Sequence, residues 1–192
     1  AWMHNTGRGW LTAEYALLPR ATVSRTLRSH IQQGRAQEIR RLIGRSLRRA
    51  VRLDLLGELT LTIDCDVIQA DGGTRTAAIN GGYVAVAMAM HSLIAAGTVP
   101  PEALMPPIGA ISVGMREDEL LLDLAYAEDV DADMDLNVVI DDNVNFVEVQ
   151  GTAEGRPIPR QQLDRLLDLA AQGAREVIAV EREVLACAGI RV

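Results

Sequence analysis

Two groups of residues have the types and spacing to do chemistry on phosphate. The first is Gly72-Gly73-Thr74-Arg75, a glycine turn running into a hydroxyl and a guanidinium. If a helix starts at Thr74, its first turn presents unpaired N–H groups and the positive end of its dipole, which together favour an anion. Adjacent glycines let the backbone approach a ligand with no Cβ in the way, Thr74 adds a hydroxyl donor, and Arg75 adds a planar fork. Arg35, just after Gly34, precedes the next helix and is placed to point at a ligand near its start. An ordinary capped strand-to-helix turn would use the same residues. The second group is the acidic run of residues 128–135, EDVDADMD. Asp129 and Asp135, six residues apart, suit one Mg²⁺ held between two carboxylates, with water and a substrate phosphate completing its shell. The plain alternative is a solvated acidic loop. A calcium loop does not fit, because the central glycine and terminal glutamate are missing.

These residues need elements to position them. Residues 63–80, IDCDVIQADGGTRTAAIN, read as a strand, a tight glycine turn and a long apolar helix over 74–96. Gly81-Gly82 would weaken an isolated helix, so close packing on a sheet is expected there. Upstream, 10–15 alternate as a short strand, 20–35 form a basic loop, and 37–53 form an amphipathic helix. Its polar side carries Arg40, Arg41, Arg45, Arg48, Arg49 and Arg52. Like charges at that density call for a partner, such as RNA or the acids of a neighbouring subunit. Downstream, strands are expected at 108–115, 120–126, 136–140 and 146–151, with an amphipathic helix over 159–185. The order predicts one α+β domain, helices on one side of a largely antiparallel or mixed sheet.

Composition narrows the function classes. Hydrophobic content of 48% describes a globular chain, and 3% aromatics offers no stacking platform for bases. No uninterrupted apolar run reaches bilayer length, so no membrane span is expected. Cys65 and Cys187 are too few and too distant for a disulfide framework, which suits a reducing cytoplasm. Lysine is absent, and residues 1–52 hold eleven arginines against two acids, while 53–192 hold eight against twenty-four. That asymmetry predicts a polyanion-facing surface at one end. No Walker A or kinase motif is present, and His4, His30 and His91 have no partners for nucleophilic catalysis. Metal carboxylates, an anion turn and a basic surface point to phosphoryl or nucleotidyl transfer.

The runs GRGWLTAEYALLPRAT (7–22), GRAQEIRRLIGRSLR (34–48), LTIDCDVIQADGGTRTAAI (61–79), EDVDADMDLNVV (128–139) and FVEVQGTAEG (146–155) resemble the ribonuclease PH family. The resemblance covers essentially the whole chain, with the motifs in the right order. It implies an RNase PH fold, similar to ribosomal protein S5 domain 2, with a mixed β-sheet packed against helices. It also implies a hexameric ring built as a trimer of dimers. The implied reaction is phosphorolytic 3′-to-5′ trimming of tRNA precursors, with inorganic phosphate as co-substrate and Mg²⁺ or Mn²⁺ as the metal. Motif by motif, Arg35, Gly73, Thr74 and Arg75 fall on the phosphate site. Asp129 and Asp135 fall on the metal-binding catalytic pair, and Arg20, Arg25 and Arg28 on a loop contacting RNA and neighbouring subunits. Family members carry further strands ahead of the GRGW motif, so the resemblance implies an N-terminally incomplete chain with an exposed sheet edge. The competing expectations are a noncatalytic RNA-binding scaffold subunit of such a ring, or an inactive truncated product.

Overall fold

The computed structural model describes residues 6–27, 34–154 and 156–192. His4, Arg28 and His30 lie outside them. The chain opens with a parallel βαβ unit: β1 (Trp10–Leu17), α1 (Gly34–Leu47) and β2 (Thr60–Val67). β1 buries alternate residues Leu11, Ala13 and Tyr15, the period of a half-buried strand. Its register with β2 runs from Trp10 opposite Thr60 to Leu17 opposite Val67. After β2 comes α2 (Thr74–Ala95), then β3 (Ile108–Arg116) and β4 (Glu119–Leu122). The short helix α3 (Tyr126–Val130), β5 (Met134–Asp141), β6 (Phe146–Ala153) and the long α4 (Arg160–Cys187) complete the order.

The strands divide between two sheets, where the sequence suggested one. β1 and β2 form a parallel pair, and the other four form an antiparallel sheet in the order β4-β3-β5-β6. α2 lies between them. Ile79, Tyr83, Val86 and Met90 on this helix are fully buried among residues of α1, β1 and β3. The Asn80 amide accepts from the Ala110 N–H at 2.8 Å and donates to the Ala110 carbonyl at 2.9 Å, pinning α2 to β3. A Cβ on Gly82 would come within 2.9 Å of Leu47 and 3.6 Å of Ile63, so this glycine does serve close packing, against α1 and β2. Gly81 faces open space. As a whole, α2 is long and apolar enough to cross a bilayer, but that apolar surface is used in contacts with both sheets and with α1 and α4. On the far side of the four-stranded sheet, Ile111, Val113, Leu136 and Val138 pack with Leu166, Ala170, Ala174 and Ile178 of α4.

Three local readings change. α1 already includes Gly34 and Arg35, which puts Arg35 on the helix and not ahead of it. The apolar run 120–126 ends as a strand at Leu122, because Asp123 adopts φ 57° and α3 starts at Tyr126. Asp129 therefore sits on a short helix and not on a loop. Five of the six arginines named on the polar side of α1 and its exit meet groups of their own chain. Arg40 meets Glu14, Arg45 meets Glu148 at 2.8 Å, Arg49 meets Asp141 at 3.6 Å and Arg52 meets Asp54 at 2.7 Å. Arg48 stacks over the Trp10 ring at 4.5 Å.

One buried carboxylate carries a stability consequence. Glu181 on α4 is 3% exposed, and neither of its oxygens has a hydrogen-bond partner among the described residues. Burial pushes its pKa to about 8, against the opposing pull of Arg182; Tyr83 of α2, its hydroxyl also unpaired, and Asp142 belong to the same group of charges. A carboxyl raised in the folded state holds its proton there while the unfolded chain releases it. Folding therefore loses stability as pH rises from 4.5 to about 8. Across that window the parent chain should lose roughly 4 kcal/mol more than Glu181→Gln, at about 1.4 kcal/mol per pH unit of protonation difference. Denaturant melts at pH 5 and pH 8.5 measure it; parallel pH dependences would rule the effect out.

Candidate active site

One cleft of ≈ 490 Å³ brings together Arg35, Gly73, Thr74, Arg75, Asp129 and Asp135. The phosphate-type residues come from α1 and the start of α2, and the carboxylates from α3 and β5. Gly73, in the left-handed region at φ 57°, caps α2, with its carbonyl accepting from the Ala77 N–H and the Thr76 hydroxyl. The Tyr15 hydroxyl donates to Thr74 Oγ1 at 2.8 Å and fixes that side chain from β1. Arg75 Nε is inaccessible to solvent and has no partner among the described residues, a charged donor beside a helix start. An anion in the cleft would satisfy it.

Gly72 serves a different purpose from the ligand approach expected of it. At φ 80°, a Cβ there would lie 2.2 Å from the Leu124 carbonyl oxygen and 2.9 Å from the Tyr126 nitrogen. The glycine lets the turn before α2 touch the backbone that leads into α3. The Asp71 carboxylate reinforces that contact by accepting from the Tyr126 N–H at 3.3 Å. At the same entrance the Glu128 side chain accepts from the Ala125 N–H at 2.9 Å, capping α3. Asp129 is thus carried on a helix docked directly against the anion turn.

The floor of the cleft is a polar end on an otherwise apolar sheet. Ser112, Asn137 and Gln150 stand in one row across β3, β5 and β6, and Gly114, Asp135 and Thr152 form the next row. Ser112 and Asn137 are buried. None of Ser112, Asn137, Gln150, Thr152 or Glu154 was singled out from sequence, though a lone Ser or Asn inside an apolar strand is a readable signal. Burial pushes the Asp135 carboxyl above its ordinary pKa, helped by the negative charges of Asp129 and Glu154 and opposed by Arg75. The repulsion from Asp129 places the two carboxylates in one electrostatic environment.

No three carboxylate, imidazole or thiol groups converge as a metal cage among the described residues. The donor set still fits a hard divalent cation, since Mg²⁺ is commonly held by one or two carboxylates with water and substrate phosphate. Arg20 and Arg25 of the basic loop do not line the cleft. Arg20 and Arg25 are exposed on the segment after β1, where Arg20 contacts the Val23 carbonyl at 3.4 Å. Arg28, the third loop arginine, lies outside the described residues. The expectation that 3% aromatics leaves no ring for a base needs a qualification. Tyr126, 64% exposed, lines this cleft.

Two family models match: the 3′ exoribonuclease family, domain 1, over residues 1–91, and domain 2 of the same family over residues 106–173. Ribonuclease PH of Moorella thermoacetica is 55% identical over 186 residues, covering 95% of this chain and 74% of that protein. Ribonuclease PH of Corynebacterium efficiens is 53% identical over 184 residues, covering 94% and 75%. Among solved structures, rice Rrp46 matches with TM-score 0.73 and 17% identity over 95% of this chain and 76% of its own. The Archaeoglobus fulgidus exosome with RNA bound to its active site matches with TM-score 0.72 and 20% identity, covering 89% and 70%. At those identities the likeness speaks for the fold, which is the RNase PH fold. The matched stretches and the two bacterial relatives place this chain in the 3′ exoribonuclease family, in its ribonuclease PH group.

Proposed function

We propose that six cleft residues perform in this chain the activity of its family, phosphorolytic 3′-to-5′ removal of nucleotides from RNA. The chain is a phosphorolytic exoribonuclease and tRNA nucleotidyltransferase with inorganic phosphate as co-substrate. Arg35, Gly73, Thr74 and Arg75 bind that phosphate, a reading carried by the buried, unpartnered Arg75 Nε at the start of α2. Attack by phosphate on a phosphodiester brings two anions together. The guanidinium groups and the N–H groups of the helix start offset that repulsion and hold the attacking oxygen oriented. Asp129 and Asp135 would hold Mg²⁺ or Mn²⁺, which supplies charge stabilisation at the transferred phosphorus. The leaving 3′ oxygen needs a proton, and a carboxyl of the cleft such as Asp129 would supply it.

tRNA precursors are the proposed substrate. Arg20, Arg25 and Arg28 provide a basic loop for RNA and for neighbouring copies in a ring, proposed as a hexamer made of three dimers. The chain acts as one unit, because Ile108, Ala110 and Val139 share a core with residues of α1 and α2. The test is release of nucleoside diphosphates from a tRNA precursor with a 3′ extension, with and without phosphate and with and without chelator. Release is expected only with phosphate present, and chelation should lower it by about 10²-fold or more. A chain that binds RNA and releases nothing would be a scaffold subunit.

A further inference from the structure

We infer that Glu38 is a positioning residue of the phosphate site, clamping the Arg75 guanidinium and the Gln150 amide with one carboxylate group. This rests on the reading of Arg75 as a phosphate ligand. Glu38 stands on α1, one turn after Arg35. Its Oε2 accepts from an Arg75 terminal nitrogen at 3.2 Å, and its Oε1 accepts from Gln150 Nε2 at 2.9 Å. Each oxygen therefore serves a different element, α2 through Arg75 and β6 through Gln150. Burial works against ionisation of Glu38, yet the Gln150 hydrogen bond and the positive charges of Arg75 and Arg35 hold its carboxyl below the usual value. It stays a carboxylate through the neutral range.

A negative charge beside an anion site looks counterproductive on Coulomb grounds alone. Position resolves this. Arg75 is a long side chain with several rotamers, and among the described residues Glu38 occupies one terminal nitrogen while the buried Nε has no partner. Tethering one corner of the fork fixes the plane of the rest. The tether also ties β6 to α1 beneath the row that holds Asn137 and Gln150. Two opposite effects can thus be told apart. If Glu38 acted only through its charge, neutralising it would tighten phosphate binding; if it positions Arg75, neutralising it weakens binding.

Glu38→Gln and Glu38→Ala, checked by thermal melt for folding, would be assayed for phosphorolysis with phosphate and RNA varied separately. The expected result is a KM for phosphate raised roughly tenfold to a hundredfold, with the KM for RNA nearly unchanged. In an Arg75→Ala background the same replacements should add little to the loss in kcat/KM, because the group they position is gone. A phosphate KM that is unchanged or lower overturns the inference, as does an undiminished effect without Arg75. If Arg75→Ala alone leaves the phosphate KM intact, the phosphate-site reading itself fails, and that result is distinct from either outcome at Glu38.

Discussion

Arg75→Ala should lower phosphate-dependent release of nucleoside diphosphates by roughly 10²- to 10³-fold while RNA binding persists. That size is typical when one preorganised charge-stabilising donor is removed from a dry site. Arg75 lies where such a donor has most effect, next to the first turn of α2 and with a solvent-inaccessible Nε. Asp135→Ala should produce a loss of similar size by a different route. It removes the half-buried carboxylate whose proton affinity is raised by partial burial and by Asp129. The two variants separate in their kinetics: the arginine loss should show chiefly in the KM for phosphate, and the aspartate loss in kcat. Activity within threefold of the parent in Arg75→Ala would remove the phosphate assignment.

Gly72→Ala should be the most damaging single methyl in the site. At φ 80° the new Cβ is strained whatever the space, and it would lie 2.2 Å from the Leu124 carbonyl oxygen. That neighbour is backbone and cannot rotate away. Relief requires the turn before α2 and the segment entering α3 to separate, which shifts Asp129 relative to Arg75. A cost of about 3 kcal/mol or more is expected, together with loss of most activity. Gly81→Ala makes the contrast. It faces open space within a helix, so the added methyl should stabilise by roughly 1 kcal/mol. Denaturant melts of both variants read the stability, and the phosphorolysis assay reads the displacement. Equal stability of the two would show that the contact between the turn and α3 is not the constraint described.

The glycine turn and the acidic pair that share the cleft could be singled out in sequence because each is local. The glycine break before Thr74 marks a strand-to-helix turn wherever it occurs, and Asp129 and Asp135 are close in the chain. Non-local features were less readable. Alternation identifies β1 and β2 as strands but does not say that they pair only with each other, so two sheets read as one. The run 120–126 has strand composition throughout, and what ends β4 is a left-handed Asp123, a conformation that sequence alone does not announce. Arg35 was placed ahead of α1 because the helix was taken to begin at Gln37, whereas α1 already includes Gly34 and Arg35. Glu38 drew no notice as one of two acids among eleven arginines. Its importance comes from partners 37 and 112 residues away.

The way α2 is held has a thermodynamic meaning for the first step of the reaction. Its first turn supplies the N–H groups of the cradle, and its body is fixed by Asn80 and by packing between two sheets. On the proposed reading phosphate would meet donors already ordered by the helix, so little chain disorder would have to be removed on binding. A small, symmetric, strongly hydrated anion offers few contacts from which affinity can be built. A rigid receptor is therefore the route by which such a ligand is held at all, and on the proposed assignment stiffness in the core would be part of substrate recognition.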